Sequence, residues 1–263
     1  MTAAPVSGRG VAVVTGGSRG LGRGIALALA GAGHDLVVNY VTDAASAAET
    51  VTQCELLGVR ASAVRADVTD PESLDALVLG AAEVGPLEVW VNSAGVSTLA
   101  PLIETTDVEF RRMIDVNLLG AFHGIRAAAR SMIAGGVAGR IVNVSSEVGV
   151  VAFRYLGAYA ATKFGVVGLT QAAAIELADH GITVNAVGPG TAETDMVMSE
   201  RRAEMAITGR SADEVRAGYL DAIPLGRFCE PADVGALVAW MVGPGASYVT
   251  GQIVCTNGGS VLH

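Results

Sequence analysis

The chemistry of this chain is concentrated in a few residues. Lys163 is the only lysine, the other sixteen basic side chains being arginine. That bias points to a position where a compact ammonium must approach other groups closely and a planar guanidinium will not serve. Tyr159 stands four residues earlier, in Tyr159-Ala160-Ala161-Thr162-Lys163, so on a helix the two side chains share one face. A phenol titrates at ~10 in water, and work as a base near neutrality requires a shift of ~4 kcal/mol. An ammonium about 5 Å away at an effective dielectric of ~20 supplies roughly 3 kcal/mol. Ser146 precedes Tyr159 at the end of an apolar run and is the expected second donor to a carbonyl oxygen that gathers negative charge, in preference to Ser145. The predicted chemistry is proton transfer at a carbon–oxygen bond.

A second group sits near the start, in Thr15-Gly16-Gly17-Ser18-Arg19-Gly20-Leu21-Gly22, between an apolar run and an Ala- and Leu-rich stretch. A turn from a strand into a helix N-terminus bares backbone N–H groups, and glycines let a pyrophosphate approach them. The spacing is G-x-x-x-G-x-G rather than G-x-G-x-x-G, and no lysine follows to make a nucleotide-triphosphate loop. Gly16, Ser18, Arg19, Gly20, Leu21 and Gly22 are the expected coenzyme contacts here. At the end of the second strand, where a carboxylate would take a ribose 2′-hydroxyl, the sequence has Asn39-Tyr40. With no acid there and Arg19 in the turn to meet a 2′-phosphate, NADP(H) is predicted over NAD(H). Asp67, with Val68 beside it, is placed to meet an adenine amino group, or else to cap the turn before Pro71.

The elements that hold these groups alternate. Apolar runs at 11–15, 35–40, 60–65, 87–92, 139–145, 182–187 and 251–255 read as strands buried on both faces. Helical stretches are predicted at 20–32, 43–57, 71–83, 107–134, 155–180 and 230–242, with caps at Thr42-Asp43, Asp70-Pro71 and Glu230-Pro231. The predicted fold is α/β, one doubly wound domain over 1–263 on a seven-stranded parallel sheet with helices on both faces. Residues 193–221 break the pattern: charged side chains crowd there and Gly209 and Gly218 interrupt the helix-like pieces. They read as an exposed flap that closes over a substrate.

Composition sets outer limits. The chain has 263 residues, 51 % of them hydrophobic, and a net charge of -9, with a pI near 4.9. It has no basic footprint for nucleic acid. The first ten residues lack an apolar leader. The uncharged stretch 234–263 is cut by Gly243-Pro244-Gly245, so neither piece reaches the ~20 apolar residues of a membrane span. Cys54, Cys229 and Cys255 lack metal-ligand spacing and read as reduced core thiols. A cytoplasmic protein without a bound metal is expected. His34 reads as a helix-end residue, and His123, His180 and His263 are also assigned structural roles. Ser146 lacks a G-x-S-x-G elbow, which disfavours a hydrolase.

Taken together, these motifs resemble the short-chain dehydrogenase/reductase family over essentially the whole chain. Asn92-Ser93-Ala94-Gly95 stands where that family has N-N-A-G, and the resemblance makes Asn92, Ala94 and Gly95 coenzyme-side residues that steady the sheet. It implies that Asn117 positions a water in a proton relay and that Lys163 holds the ribose as well as lowering the Tyr159 pKa. Pro189, Gly190 and Thr194 match a P-G-x-x-x-T segment that orients the nicotinamide. Tyr159, Ser146, Lys163 and Asn117 form the implied catalytic set. Ser93 and Thr256-Asn257 depart from the family pattern without touching that set. The implied reaction is hydride transfer between NADP(H) and a small ketone or secondary alcohol, with 3-oxoacyl reduction on a carrier protein or coenzyme A as the alternative. The uncharged run 131–139 argues against docking of an acidic carrier. A non-catalytic NADP(H) sensor of the same fold would leave the catalytic set unexplained. The resemblance also implies self-association, as a homotetramer or a homodimer.

Overall fold

The computed structural model describes residues 9–262. The stretch 1–8, His263 and the two ends of the expected 1–263 unit lie outside the described residues. Seven strands run β1 (Arg9–Val14), β2 (His34–Tyr40), β3 (Ala61–Arg65), β4 (Leu87–Asn92), β5 (Arg140–Val144), β6 (Thr183–Pro189) and β7 (Ile253–Thr256). All pair in parallel, in the order β3-β2-β1-β4-β5-β6-β7. The order reverses at β1/β4, which opens a crevice at the carboxyl ends of the strands. Alternation along each strand sends side chains to two cores. Ala12, Val14, Leu36 and Val38 pack toward α1 (Gly20–Gly31) and α9 (Pro231–Val242). Val11, Val13 and Val37 face α3 (Pro71–Val84), α5 (Gly120–Gly135) and α6 (Gly157–Leu177). This two-sided burial is why the strands read as unbroken apolar runs.

The predicted caps form. Asp43 accepts from the Ser46 N–H at 2.9 Å at the head of α2 (Ala44–Leu56), and Asp70 accepts from the Glu72 N–H at 3.0 Å before α3. The Glu230 N–H donates to Asp233 at 2.8 Å ahead of α9. Four local expectations change. The helix expected over 107–134 is α4 (Asp107–Met113), a π-helical stretch Ile114–Leu119, and α5. The helix expected from 155 begins at Gly157, so Tyr155 stands before it with φ +67°. His34 opens β2, buried, its ring bonded to the Gly10 carbonyl, rather than ending a helix. Cys54 is buried as expected, whereas Cys229 and Cys255 are only half-buried; none of the three is in a disulfide.

The charged segment folds as α7 (Asp195–Thr208) and α8 (Ala212–Asp221). Gly209, at φ +70°, ends α7 in the left-handed conformation that suits glycine. Ser211 and Glu214 cap α8 reciprocally. Gly218 lies inside α8 and does not interrupt it; a Cβ there would sit 3.0 Å from the Arg210 guanidinium. Among the described residues no helix is long and apolar enough to cross a membrane. Nor, among them, do three His, Cys, Asp or Glu side chains gather as a metal site would require.

Candidate active site

The crevice at the sheet's carboxyl edge holds a cavity of about 590 Å³. Its floor comes from β5 and the first turns of α6, and its roof from α7 and α8. Leu21, Gly95, Ser146, Tyr159, Lys163, Pro189, Gly190 and Thr194 line it together. Helical spacing stacks Tyr159 and Lys163, with the ammonium 5.4 Å from the phenol ring centre. Lys163 is 4 % exposed and Tyr159 9 %. The Lys163 Nζ donates to the Val144 carbonyl at 2.9 Å. Ser146 lines the same wall as Tyr159, its Oγ accepting from the Val148 N–H at 3.1 Å. Ser145 faces inward and donates to the Lys163 carbonyl at 3.1 Å, so it is spent on packing.

The electrostatics differ from the expectation in one respect. Burial pushes the Tyr159 phenol above its usual range, with the Glu200 carboxylate adding to the rise and the Ser146 hydroxyl opposing it. The Lys163 ammonium does not reverse this, because burial also holds it down, to about 8. The ion that was to stabilise the phenolate is itself poorly solvated. These residues by themselves therefore keep the phenol a proton donor through neutral pH.

Asn117 lies in the π-helical stretch. It accepts from the Val96 N–H at 2.8 Å and donates to the Val96 carbonyl at 2.8 Å and to Thr162 at 3.1 Å. This clasp ties the chain after β4 to α6. A Cβ on Gly95 would stand 3.4 Å from the Asn117 Oδ1 and 3.7 Å from the Lys163 Nζ, so bare backbone faces both. Thr15 binds the same loop to β1, its Oγ accepting from the Ser93 and Ala94 N–H groups at 2.9 and 3.1 Å. Asn92 is buried in a ladder: it accepts from the Trp90 indole at 2.7 Å and donates to Asn143 at 2.8 Å, which donates to Thr170 at 2.9 Å.

At the glycine turn, Gly16 has φ +61° and a Cβ there would strike Ala94, while one on Gly22 would run into the Gly16 carbonyl. This close-set backbone is a cradle that side chains would fill, and it fits a pyrophosphate. Ser18 is buried at its base. Asn39 does not face a ribose. It is 1 % exposed, accepting from the Gly16 N–H at 3.0 Å and donating to the Ala66 carbonyl at 2.8 Å. It is a staple under the turn, and Tyr40 beside it packs on the core. Arg19 projects from the turn, 66 % exposed, and pairs with Asp195 of α7 at 3.1 Å. Asp67 is exposed and accepts from the Thr69 N–H at 2.9 Å, while the buried Val68 carbonyl meets the His123 ring at 3.1 Å. Thr194 comes within reach of Gly20, whose Cβ would lie 3.6 Å from its methyl.

The sequence of short chain dehydrogenases as a family matches residues 10–205. This chain is a short-chain dehydrogenase/reductase. Among relatives of this oxidoreductase, L-2,3-butanediol dehydrogenase of Corynebacterium glutamicum is 41 % identical over 256 residues, covering 96 % of this chain and 99 % of that protein. A 3-oxoacyl-[acyl-carrier-protein] reductase of Staphylococcus aureus is 39 % identical over 252 residues, 95 % of this chain and 98 % of that one. The crystal structure of a variant actinorhodin polyketide ketoreductase with NADPH superposes with a TM-score of 0.90 at 35 % identity, covering 95 % and 97 % of the two chains.

Sequence reasoning missed the residues that shape the cavity roof. Met196, Val197, Glu200, Glu204 and Thr208 all line it, and their spacing marks one face of a helix. That signal was present but masked by the high charge of the segment. Glu147, next to Ser146, was missed as well. It is buried and accepts from the Ser260 hydroxyl, and that burial raises its pKa.

Proposed function

We propose that this dehydrogenase/reductase moves hydride between NADP(H) and a small ketone or secondary alcohol, with Tyr159 as proton donor and acceptor. The observation that carries the reading is the meeting of Tyr159, Ser146 and Lys163 on one cavity wall, next to a backbone cradle that fits a dinucleotide. The cradle at Gly16–Gly22 would hold the pyrophosphate, Lys163 the nicotinamide ribose, and Pro189, Gly190 and Thr194 the nicotinamide end. When bound, the nicotinamide supplies the hydride and, once oxidised, a positive charge near the phenol. Ser146 holds the substrate oxygen by donating to it. In reduction the Tyr159 Oη gives its proton to that oxygen, and its raised pKa keeps the donor loaded across the neutral range. Asn117, clasped to Val96, would position a water through which Lys163 and then Tyr159 are reloaded with protons.

Arg19 supports NADP(H) over NAD(H): it stands exposed beside the cradle with only an exposed carboxylate to leave, and Asn39 is turned inward. The butanediol dehydrogenase relative supports a small ketone or carbinol as substrate, and the 3-oxoacyl reductase relative supports the second reading. The same proposal makes 193–221 the lid of a single working unit, since α7 and α8 form the cavity roof. It includes self-association as a homotetramer or homodimer, for which exposed Phe122, Phe164 and Ile175 on α5 and α6 offer apolar surface, in a cytoplasmic setting.

The test is NADPH and NADH oxidation with simple ketones, diketones and 3-oxoacyl thioesters. Tyr159→Phe is expected to lower ketone turnover by at least about 10²-fold while NADPH still binds, read by coenzyme fluorescence. Wild-type turnover in Tyr159→Phe would remove Tyr159 from the reaction, and a strong preference for thioesters would move the assignment to 3-oxoacyl reduction.

A further inference from the structure

Glu200 is a charged group on the cavity wall that has no place in the proton-transfer set. It projects from the α7 face that also carries Met196, Val197, Glu204 and Thr208, so its carboxyl stands on the cavity roof. Burial raises its pKa. The one group that pulls it back is Ser97, whose hydroxyl lies alongside without a hydrogen bond of good geometry. Among the described residues no arginine or lysine pulls that carboxyl back. A carboxylate placed so is costly to keep dry, and it is stabilised when a hydrogen-bond donor arrives with a ligand. Its charge also acts on the Tyr159 phenol, and both groups line the same cavity. A substrate whose reacting oxygen is held by Tyr159 and Ser146 therefore lies in the cavity that Glu200 helps to roof.

Resting on the reaction proposed above, the geometry points to Glu200 as a specificity residue that accepts a hydrogen bond from a second hydroxyl on the carbon next to the reacting one. The substrate class is then vicinal diols and their α-hydroxy ketones rather than plain ketones. A hydroxyl suits the site better than an ammonium, because a carboxyl pushed toward its neutral form is a weak counterion. A site built around a substrate hydroxyl discriminates against the analogue that lacks it, because the half-buried acceptor is left unpaired.

The test holds the carbon skeleton fixed and changes one substituent: 2-butanol, butane-2,3-diol and 3-aminobutan-2-ol are oxidised with NADP+ at pH 8. The wild-type enzyme is expected to favour the diol over 2-butanol by at least about tenfold in kcat/KM. In Glu200→Met that ratio is expected to fall to within about threefold of one, and in Glu200→Gln, which keeps an acceptor but not the charge, to fall partway. A residue with a merely structural role would lower both rates together and leave the ratio intact. If Glu200→Met does not fold, the wild-type ratio and Glu200→Gln still decide. An unchanged ratio in the variants, no diol preference in the wild type, or a preference for the amino alcohol each overturns the assignment while leaving the reaction class standing. Failure of the wild type to oxidise any of the three alcohols or to reduce their ketones overturns both.

Discussion

Replacing Lys163 by Met should make the protein more stable and abolish its turnover. The ammonium is 4 % exposed and burial takes its pKa from an ordinary 10.5 to about 8. At ~1.4 kcal/mol per pH unit, the wild type carries roughly 3 kcal/mol of charge burial at pH 7. The apolar replacement has nearly the same length and removes that penalty, but it leaves the Val144 carbonyl without its 2.9 Å donor, a loss of about 1 kcal/mol. The net gain is ~2 kcal/mol, or about 4–8 °C in Tm for a chain of this size. The sign depends on pH in a defined way. The folded lysine has the lower pKa, so between about 8 and 10.5 the folded wild type binds fewer protons than the unfolded chain and its stability rises with pH. The advantage of Lys163→Met is therefore full below pH 8 and shrinks as pH approaches 10.5. Differential scanning calorimetry at fixed protein concentration, at pH 7 and pH 10, reads both melting temperatures. A variant that melts below the wild type at pH 7, or a gap that does not narrow at pH 10, would refute the claim that Lys163 is kept charged against its surroundings.

Two further substitutions probe the coenzyme side. Arg19→Ala is expected to raise KM for NADPH about 10- to 100-fold and to change KM for NADH little, because the guanidinium is free to meet only the extra phosphate; Asp195→Ala, which also removes the 3.1 Å pair, controls for the lost link to α7, and equal losses with both coenzymes would discard the phosphate role. Asn39→Asp sets a carboxylate oxygen against the Ala66 carbonyl, in place of the amide that donates there at 2.8 Å. It should lower stability by about 2–4 kcal/mol in denaturant unfolding without improving NADH use, whereas a switch to NADH would mean that position 39 reaches the ribose.

The fold was legible in the chain because parallel strands covered on both faces must be apolar throughout, and the intervening helices announce themselves through Asp43, Asp70 and Glu230. The catalytic face was legible because a Tyr and a Lys four apart on a helix cannot avoid each other. What stayed hidden depends on the third dimension. Nothing local to Asn39 tells whether its amide points to a ligand or to the backbone of β3 and the glycine turn. The break at Ile114–Leu119 was equally invisible, since the residues around Asn117 suit an α-helix, and the π geometry places that side chain against Val96. The phenol's burial is also a property of the packed state: spacing gives the ammonium's distance, but only the closed cavity gives the desolvation that opposes it. Glu200 was lost among the charges of its segment, though its five-residue stripe was there to be counted.

The lone lysine has a consequence for handling the molecule. With every other basic side chain a guanidinium, succinimidyl esters and aldehydes find no side-chain amine on the outer surface. Lys163 can react only when the crevice breathes open. The rate at which mass spectrometry finds an acyl group on that residue would thus serve as a built-in gauge of local opening, measured without a fluorophore or an engineered tag.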